Sequence, residues 1–271
     1  MVPGMIDREP EAGFIRQLLL ECGGQLRRLR QEQQMEPRQK RGYTDLVTQH
    51  DRWAQDFLAS RIAKQYPSHG LLGEEGLDRR GNSPWLWVID PIDGTSNYIY
   101  WGREYAISLG LFFQGKPWYG AVLDVESMEL HESPAAPQPP VPGGDARHGV
   151  LHVGFQTLQE IADQGGDPWG LCGAFSAVRY LGCASLELCR LAQGEPGAYV
   201  NSHLRLWDFA GALPVLQRAG CSLRALPMGS GHYFVCAYSA AGLGQACLPW
   251  LPPTVRRQLE QGKGEEFHVE N

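Results

Sequence analysis

The sequence predicts an α/β fold with helices laid against a sheet, and three observations carry that reading. Apolar residues near the N-terminus recur at helical spacing; short, nearly continuous apolar runs take over between residues 69 and 125; and beyond residue 150 strand-like and helix-like stretches follow one another. At 271 residues the chain is long enough for one large domain or two small ones, with a sizeable core.

Phe14, Leu18, Cys22, Leu26 and Leu29 fall on one helical face, with Asp7 as the N-cap and an interruption expected at Gly23 and Gly24. "TQHDRWAQDFLASRIAKQYP" predicts a second helix. Thr48 caps it, Asp51 stands at the third position as in a capping box, Ala54, Phe57, Leu58 and Ile62 line one face, and Pro67 stops it. "HGLLGEEG" and "PWLWVIDP" read as buried strands that each end in acid, and "YAISLGLFFQGKPWYGAVLDV" as a hairpin turning near Gln114 to Lys116. The prolines of "SPAAPQPPVPGGD" (133–145) bar helix and sheet interior and mark a linker or exposed loop. After it come a strand in "GVLHVGF", a helix in "SLELCRLAQG" closed by Gly194, and a helix in "DFAGALPVLQRAG" capped by Asp208 and ended by Gly220. No internal repeat is visible, and the tail "EQGKGEEFHVEN" reads as solvated or frayed.

Composition narrows the function. A net charge of −6, from 24 basic and 30 acidic side chains, argues against a general electrostatic grip on nucleic acid or anionic lipid. Seven scattered cysteines without a C-x-x-C pair read as reduced, buried thiols, not as a disulfide framework or zinc site. With no signal-peptide pattern and no apolar run near the roughly 20 residues a membrane helix needs, a cytoplasmic protein is expected.

The chemistry concentrates in "WVIDPIDGTSNY". Asp90 follows an apolar strand, Pro91 is expected to force a turn, and Asp93 returns three residues later, so both carboxylates and the Ile92 carbonyl can face one point. Converging carboxylates raise one another's pKa unless a cation sits between them, and all-oxygen ligation favours Mg²⁺. Glu74 or Glu75 offers a third acid and Asp208 a fourth. Taken singly each acid is explained as a turn or cap residue; taken together they point to a metal site. Zinc at His148 and His152 is a weak rival, because four residues of extended chain separate them by about 13 Å. "DGT" also resembles the haloacid dehalogenase phosphatases, but there the acid partner follows the nucleophile two residues on, and here the spacing is three, which on a strand turns the second acid to the other face. No G-x-x-x-x-G-K-[ST] loop or G-x-S-x-G elbow is present.

"DPIDGTSNY", with "TDLVTQHD" (44–51), "YPSHGLLGEE" (66–75) and "LWDFAGALPVLQRAG" (206–220) in the same order, resembles the inositol monophosphatase family of Mg²⁺-dependent, lithium-sensitive phosphatases, with Lys40 where members often carry lysine. The resemblance implies a layered α/β/α/β/α sandwich with two sheets, of the sugar phosphatase type. It implies an N-terminal α/β half over 1–132 carrying most metal ligands, the proline-rich run at 133–145 near the join, and a C-terminal half over 146–271. Glu74, Asp90, the Ile92 carbonyl, Asp93 and Asp208 would hold two or three Mg²⁺ ions, and Li⁺ would inhibit. Thr95, bonded to Asp51, would orient the attacking water and help deprotonate it together with Glu74. The amides of Gly94 and Thr95 would meet the phosphate, and Gly182, Cys183, Ala184 and Asn201 the alcohol.

Departures from the family pattern fall on the substrate side. The proline-rich run replaces a glycine-rich hairpin, Cys183 stands where relatives usually carry threonine, and Asn201 where inositol-cleaving members place glutamate. Pro214 inside a helix should bend it, at a cost of about 3 kcal/mol. The resemblance thus implies a phosphomonoesterase for a small polyol or sugar phosphate such as inositol 1-phosphate, a homodimer without nucleic-acid or membrane partners. Adenosine 3′,5′-bisphosphate, fructose 1,6-bisphosphate and histidinol phosphate are the alternative substrates, with Arg179, Arg205 and His203 as candidate holders of a second phosphate. A catalytically idle scaffold for a protein or RNA partner is the rival of another class, and it has no need of clustered carboxylates.

Overall fold

The computed structural model describes residues 10–32, 38–39, 46–133 and 145–264, without the side chains of residues 38, 39, 46, 47 and 241. Asp7, Lys40, the proline-rich run between Ser133 and Asp145, and the tail from 265 onward lie outside the described residues.

The first half runs α1 (Ala12–Glu32), the two-residue strands β1 (Arg38–Gln39) and β2 (Leu46–Val47), α2 (Gln49–Gln65), β3 (Gly70–Gly73), β4 (Asp78–Arg79), β5 (Trp85–Asp93), α3 (Thr95–Tyr100), β6 (Ala106–Phe113), β7 (Lys116–Asp124) and β8 (Glu129–Glu132). The second continues with β9 (Val150–Val153), α4 (Phe155–Asp163), α5 (Pro168–Gly173), β10 (Ala177–Arg179), α6 (Ala184–Ala192), β11 (Gly197–Leu204), α7 (Leu206–Ala210), α8 (Ala212–Arg218), β12 (Ser222–Gly229), β13 (His232–Tyr238), α9 (Ala241–Cys247) and α10 (Pro253–Glu260).

The larger strands form two sheets, ordered β4-β3-β5-β6-β7-β8 and β10-β9-β11-β13-β12. Every residue of β5 is buried, as expected of a strand covered on both faces. Its alternation sends Trp87 and Ile89 into a core with Leu18, Leu19 and Leu26 of α1 and Leu58 and Ile62 of α2. Leu86 and Val88 point the other way, into a core with Leu188 and Leu191 of α6, Leu213 and Leu216 of α8, and Tyr199, Leu223 and Val235 of the second sheet. A third core joins Leu151, Val200 and Phe234 to Ile161, Leu171, Leu243 and Val255 on the far side of that sheet. The layers are therefore α1–α2, first sheet, α6–α8, second sheet, and α4, α5, α9, α10. This is the α/β/α/β/α sandwich, and it corrects the simpler pattern reading of one sheet with helices against it.

Several local expectations change. Gly23 and Gly24 do not interrupt α1. A Cβ on Gly23 would stand 2.5 Å from Leu123 Cδ2, so this glycine lets the helix press onto β7, whereas a Cβ on Gly24 meets nothing within 4 Å. Pro91 makes no turn: β5 runs through it to Asp93, with a register shift between Asp90, opposite Ser108, and Asp93, opposite Ala106. An extra residue on one strand is a bulge, where a residue without an N–H costs the ladder nothing. The hairpin turns on Gln114 and Gly115, both left-handed (φ 51° and 75°), as a two-residue turn requires. The β12–β13 hairpin turns likewise on Ser230 and Gly231.

The helix expected from Asp208 to Gly220 is two helices broken at Gly211. Asp208 is the third residue of α7, not its cap, and accepts the Arg205 N–H at 2.7 Å. Pro214 is the third residue of α8, where the first turn has no intrahelical partner for an N–H, so the expected penalty does not arise. Both helices press hard on the first sheet: a Cβ on Gly110 would stand 2.6 Å from the Ala210 carbonyl oxygen, and one on Gly120 2.1 Å from that of Gly211. The tail begins tethered, since the Ala225 N–H donates to the Gly264 carbonyl at 3.2 Å. Among the described residues no helix is long and apolar enough to cross a membrane.

Gly120→Ala should destabilise the fold by about 1–3 kcal/mol through overpacking against backbone, whereas Gly24→Ala should stabilise it by roughly 0.5–1 kcal/mol through helix propensity. Denaturant midpoints of the two variants, moving in opposite directions from wild type, check both.

Candidate active site

The bulge at the end of β5 places Asp90 and Asp93 at a corner where both sheets' connections meet. Asp90 is 2 % exposed, and its Oδ1 accepts the Ile92 N–H at 3.1 Å. Asp93 reaches the start of α6, ninety residues on. Its Oδ1 accepts the Ala184 N–H (3.2 Å); its Oδ2 accepts the Ser185 N–H and hydroxyl (both 2.6 Å) and the Cys183 thiol (3.2 Å). Glu74 follows β3, with its N–H on the Ile89 carbonyl (3.3 Å), and Asp208 comes in on α7.

Asp51 answers two demands at once. Its Oδ2 accepts the Thr48 N–H and hydroxyl, each at 2.7 Å, which closes the capping box of α2. Its Oδ1 accepts the Thr95 hydroxyl at 3.1 Å, and that same hydroxyl lies 3.1 Å from the Ile92 carbonyl. Gly94, left-handed at φ 85°, precedes α3. A side chain there would be strained and would crowd the Glu104 carbonyl (3.1 Å), Cys183 Cβ (3.2 Å) and the Gly182 carbonyl (3.2 Å). Gly94 thus brings the 182–184 segment against the β5 corner.

These carboxylates work against one another. Burial first, then repulsion by Glu74, Asp93, Asp208 and Asp51, pushes Asp90 well above the usual carboxylate range. Asp208 is likewise pushed well up by burial, Glu74 and Asp93, against the opposing Arg205 amide and charge. Burial raises Asp93 despite its donors from Ser185, Cys183 and Ala184, and raises Asp51 despite Thr48 and Thr95.

Among the described residues no group of three or more His, Cys, Asp or Glu side chains is arranged to hold a metal ion; Asp93 faces amide and hydroxyl donors and Asp208 the Arg205 amide. The donor set nonetheless fits a hard cation: four mutually repelling carboxylates and a carbonyl, all oxygen, at one buried corner. The zinc rival has no support, since His148 is exposed beside Asp145 (3.5 Å) while His152 is buried between Glu187 and Glu195.

Asn201 uses its amide within the second sheet, donating to the Tyr199 hydroxyl (3.1 Å) and accepting the His203 N–H (2.9 Å). Arg179 engages the Val178 carbonyl, Arg205 the Ser230 carbonyl and His203 Glu160. Two contributors escaped the sequence reading. Asn97 donates to the carbonyls of Glu104 (2.8 Å) and Leu181 (2.7 Å), and His50 Nδ1 lies 2.6 Å from the Tyr98 hydroxyl, tying α2 to α3. Asn97 lies inside the quoted motif, but nothing in its neighbours points to a partner 84 residues away.

Comparison with known proteins gives a consistent answer. Residues 7–137 match the model described as the inositol monophosphatase family. The inositol-1-monophosphatase of Bacillus subtilis (strain 168) is 32% identical over 189 residues, 65% of this chain and 71% of that protein. The Nus factor SuhB of Pseudomonas aeruginosa is 29% identical over 235 residues, 79% of this chain and 86% of that protein. The structure of 2′AMP-bound SaIMPase-II superposes with a TM-score of 0.75 at 28% identity, covering 93% of this chain and 98% of that one. Its inositol monophosphate-bound form gives 0.74 at 25%, covering 92% and 96%.

Stability in chelator should fall as pH rises above about 4. The folded state keeps protons on Asp90 and Asp208 where the unfolded chain, with carboxyls near 3.9, has released them, so folding binds protons across that window and loses stability as they leave. Asp90→Asn should flatten the fall and raise Tm at neutral pH. Melting curves against pH in EDTA read both, and an equally steep fall in the variant would count against the cluster.

Proposed function

The chain belongs to the inositol monophosphatase family, and we propose that this phosphatase hydrolyses the monophosphate ester of a small polyol or sugar, inositol 1-phosphate foremost, by in-line attack of water. The observation that carries the reading is the buried acid corner with the Thr95–Asp51 pair beside it. Glu74, Asp90, the Ile92 carbonyl, Asp93 and Asp208 would hold two or three Mg²⁺ ions, which when bound make water more acidic, neutralise the phosphoryl oxygens and stabilise the leaving alkoxide, with Li⁺ as an inhibitor.

The chain's own groups supply the rest. The single Thr95 proton is committed to Asp51 or to the Ile92 carbonyl, which leaves the hydroxyl oxygen to accept from the attacking water. As that water gives up its proton to Thr95, Thr95 passes its own to Asp51, whose burial-raised pKa favours receiving it. Glu74 assists as a second base, and the amides of Gly94 and Thr95, at the start of α3, meet the phosphate. Gly182, Cys183, Ala184 and Asn201 form the wall toward the alcohol.

Inositol monophosphate and 2′AMP both bind SaIMPase-II, which supports a tolerant alcohol pocket. Similarity to the Nus factor SuhB of Pseudomonas aeruginosa motivates the second reading, a scaffold for a protein or RNA partner; that role has no need of the acid corner. A homodimer is proposed as well, on exposed Tyr100, Trp101, Phe155 and Tyr180. Sedimentation should show twice the chain mass, and a single-chain species at micromolar concentration would refute it.

Phosphate release from a panel of inositol, nucleotide, fructose and histidinol phosphates should require Mg²⁺ and vanish in Asp90→Asn. Thr95→Ala should keep the Mg²⁺-induced rise in Tm yet lower kcat by roughly 10²–10⁴-fold. Release that persists in chelator, or a trapped phosphoenzyme, would overturn the mechanism; no release from any ester would favour the scaffold.

A further inference from the structure

Away from the acid corner, a second buried charge system sits behind the 181–184 segment. His152, on β9, is fully enclosed, and Glu187, on α6, is 1 % exposed. His152 Nδ1 lies 3.2 Å from Glu187 Oε1 and Nε2 lies 2.6 Å from Glu195 Oε1. A neutral imidazole has one N–H, so a carboxylate oxygen against each nitrogen holds the ring as a doubly donating cation. Burial opposes that charge, and the bonds and attraction from the two glutamates outweigh it.

Every residue of α6 from Ala184 to Cys189 is buried, so a carboxylate at 187 must find partners inside the protein. What distinguishes it is a second bond: the same Oε1 accepts the Leu181 N–H at 3.0 Å. The Leu181 carbonyl is taken from the opposite side by Asn97 Nδ2 at 2.7 Å. Leu181 is thus clamped at both its polar groups, by the middle helix layer and by α3. One residue on, Gly182 turns left-handed (φ 76°), and the chain delivers Cys183, Ala184 and Ser185 to Asp93.

We propose that Glu187 is a positioning residue which, anchored by His152 and acting through Leu181, fixes the Gly182–Ala184 wall and thereby sets selection of the substrate's alcohol. The inference rests on the phosphatase reading above. Glu187→Ala should raise KM for inositol 1-phosphate about tenfold or more, the scale of one charged hydrogen bond, while KM for glycerol 2-phosphate and kcat for both change less than about threefold. Glu187→Gln, which keeps an oxygen for the Leu181 N–H, should restore most of the difference. Hydrogen exchange at the Leu181 amide should accelerate in the alanine variant and stay slow in the glutamine one.

An equal KM change for the two esters, unchanged KM despite faster Leu181 exchange, or a glutamine variant no better than alanine would each overturn the proposal. Should Glu187→Ala not fold, Asn97→Ala frees the other end of Leu181 and should reproduce the same KM pattern. If wild-type protein released phosphate from neither ester, the phosphatase reading would fail, and exchange at Leu181 would still report whether Glu187 holds the segment.

Discussion

Repulsion among buried carboxylates is the constraint around which this molecule is arranged. Asp90, Asp93 and Asp208 share one enclosed corner with Glu74 nearby, and each makes ionisation of the others harder. A group so placed must be met by donors or by a cation. The chain meets this demand locally wherever it can: the Ile92 amide on Asp90, the start of α6 on Asp93, the Arg205 amide on Asp208, the Thr48 and Thr95 hydroxyls on Asp51. These bonds leave the mutual repulsion in place. A divalent cation bound there would relieve that residual repulsion.

Close backbone packing brings the acids together. Gly110 and Gly120 let Ala210 and Gly211 of the α7–α8 junction approach the first sheet at distances no side chain would allow. The break between the two helices therefore stands over β6 and β7, and α7 sets Asp208 beside the end of β5. Gly94 does the same on the other wall for Gly182 and Cys183. Stability and site geometry thus rest on the same few glycines.

The two chain halves on either side of the proline-rich run are not independent at the site. Helices α6–α8 belong to the second half, yet they form the layer shared by both sheets, and their core includes Val88 and Val122 as well as Tyr199 and Val235. Asp93 binds Ser185 across 92 residues of chain, and Asn97 binds Leu181 across 84. A phosphate held at the end of β5 and an alcohol held against residues 182–184 would meet along this seam.

What the sequence determined by itself was whatever depends on neighbours along the chain. The capping box of Thr48 and Asp51, the hairpin at Gln114–Gly115, the end of α6 at Gly194 and the "DPIDGTSNY" resemblance all rest on spacings of a few residues, where local sterics and hydrogen bonding decide. Tertiary structure decided what depends on approach between distant segments. Gly23 reads as a helix breaker until Leu123 is seen against it, and the α7–α8 break arises where the helix ends meet glycines on β6 and β7. The continuation of β5 through Pro91 follows from its pairing with β6, and the partners of Asn97, Glu187 and Asn201 follow from which strands and helices become neighbours. A side chain's identity limits the bonds it can make; only folding brings a partner within the 3 Å or so at which the bond forms.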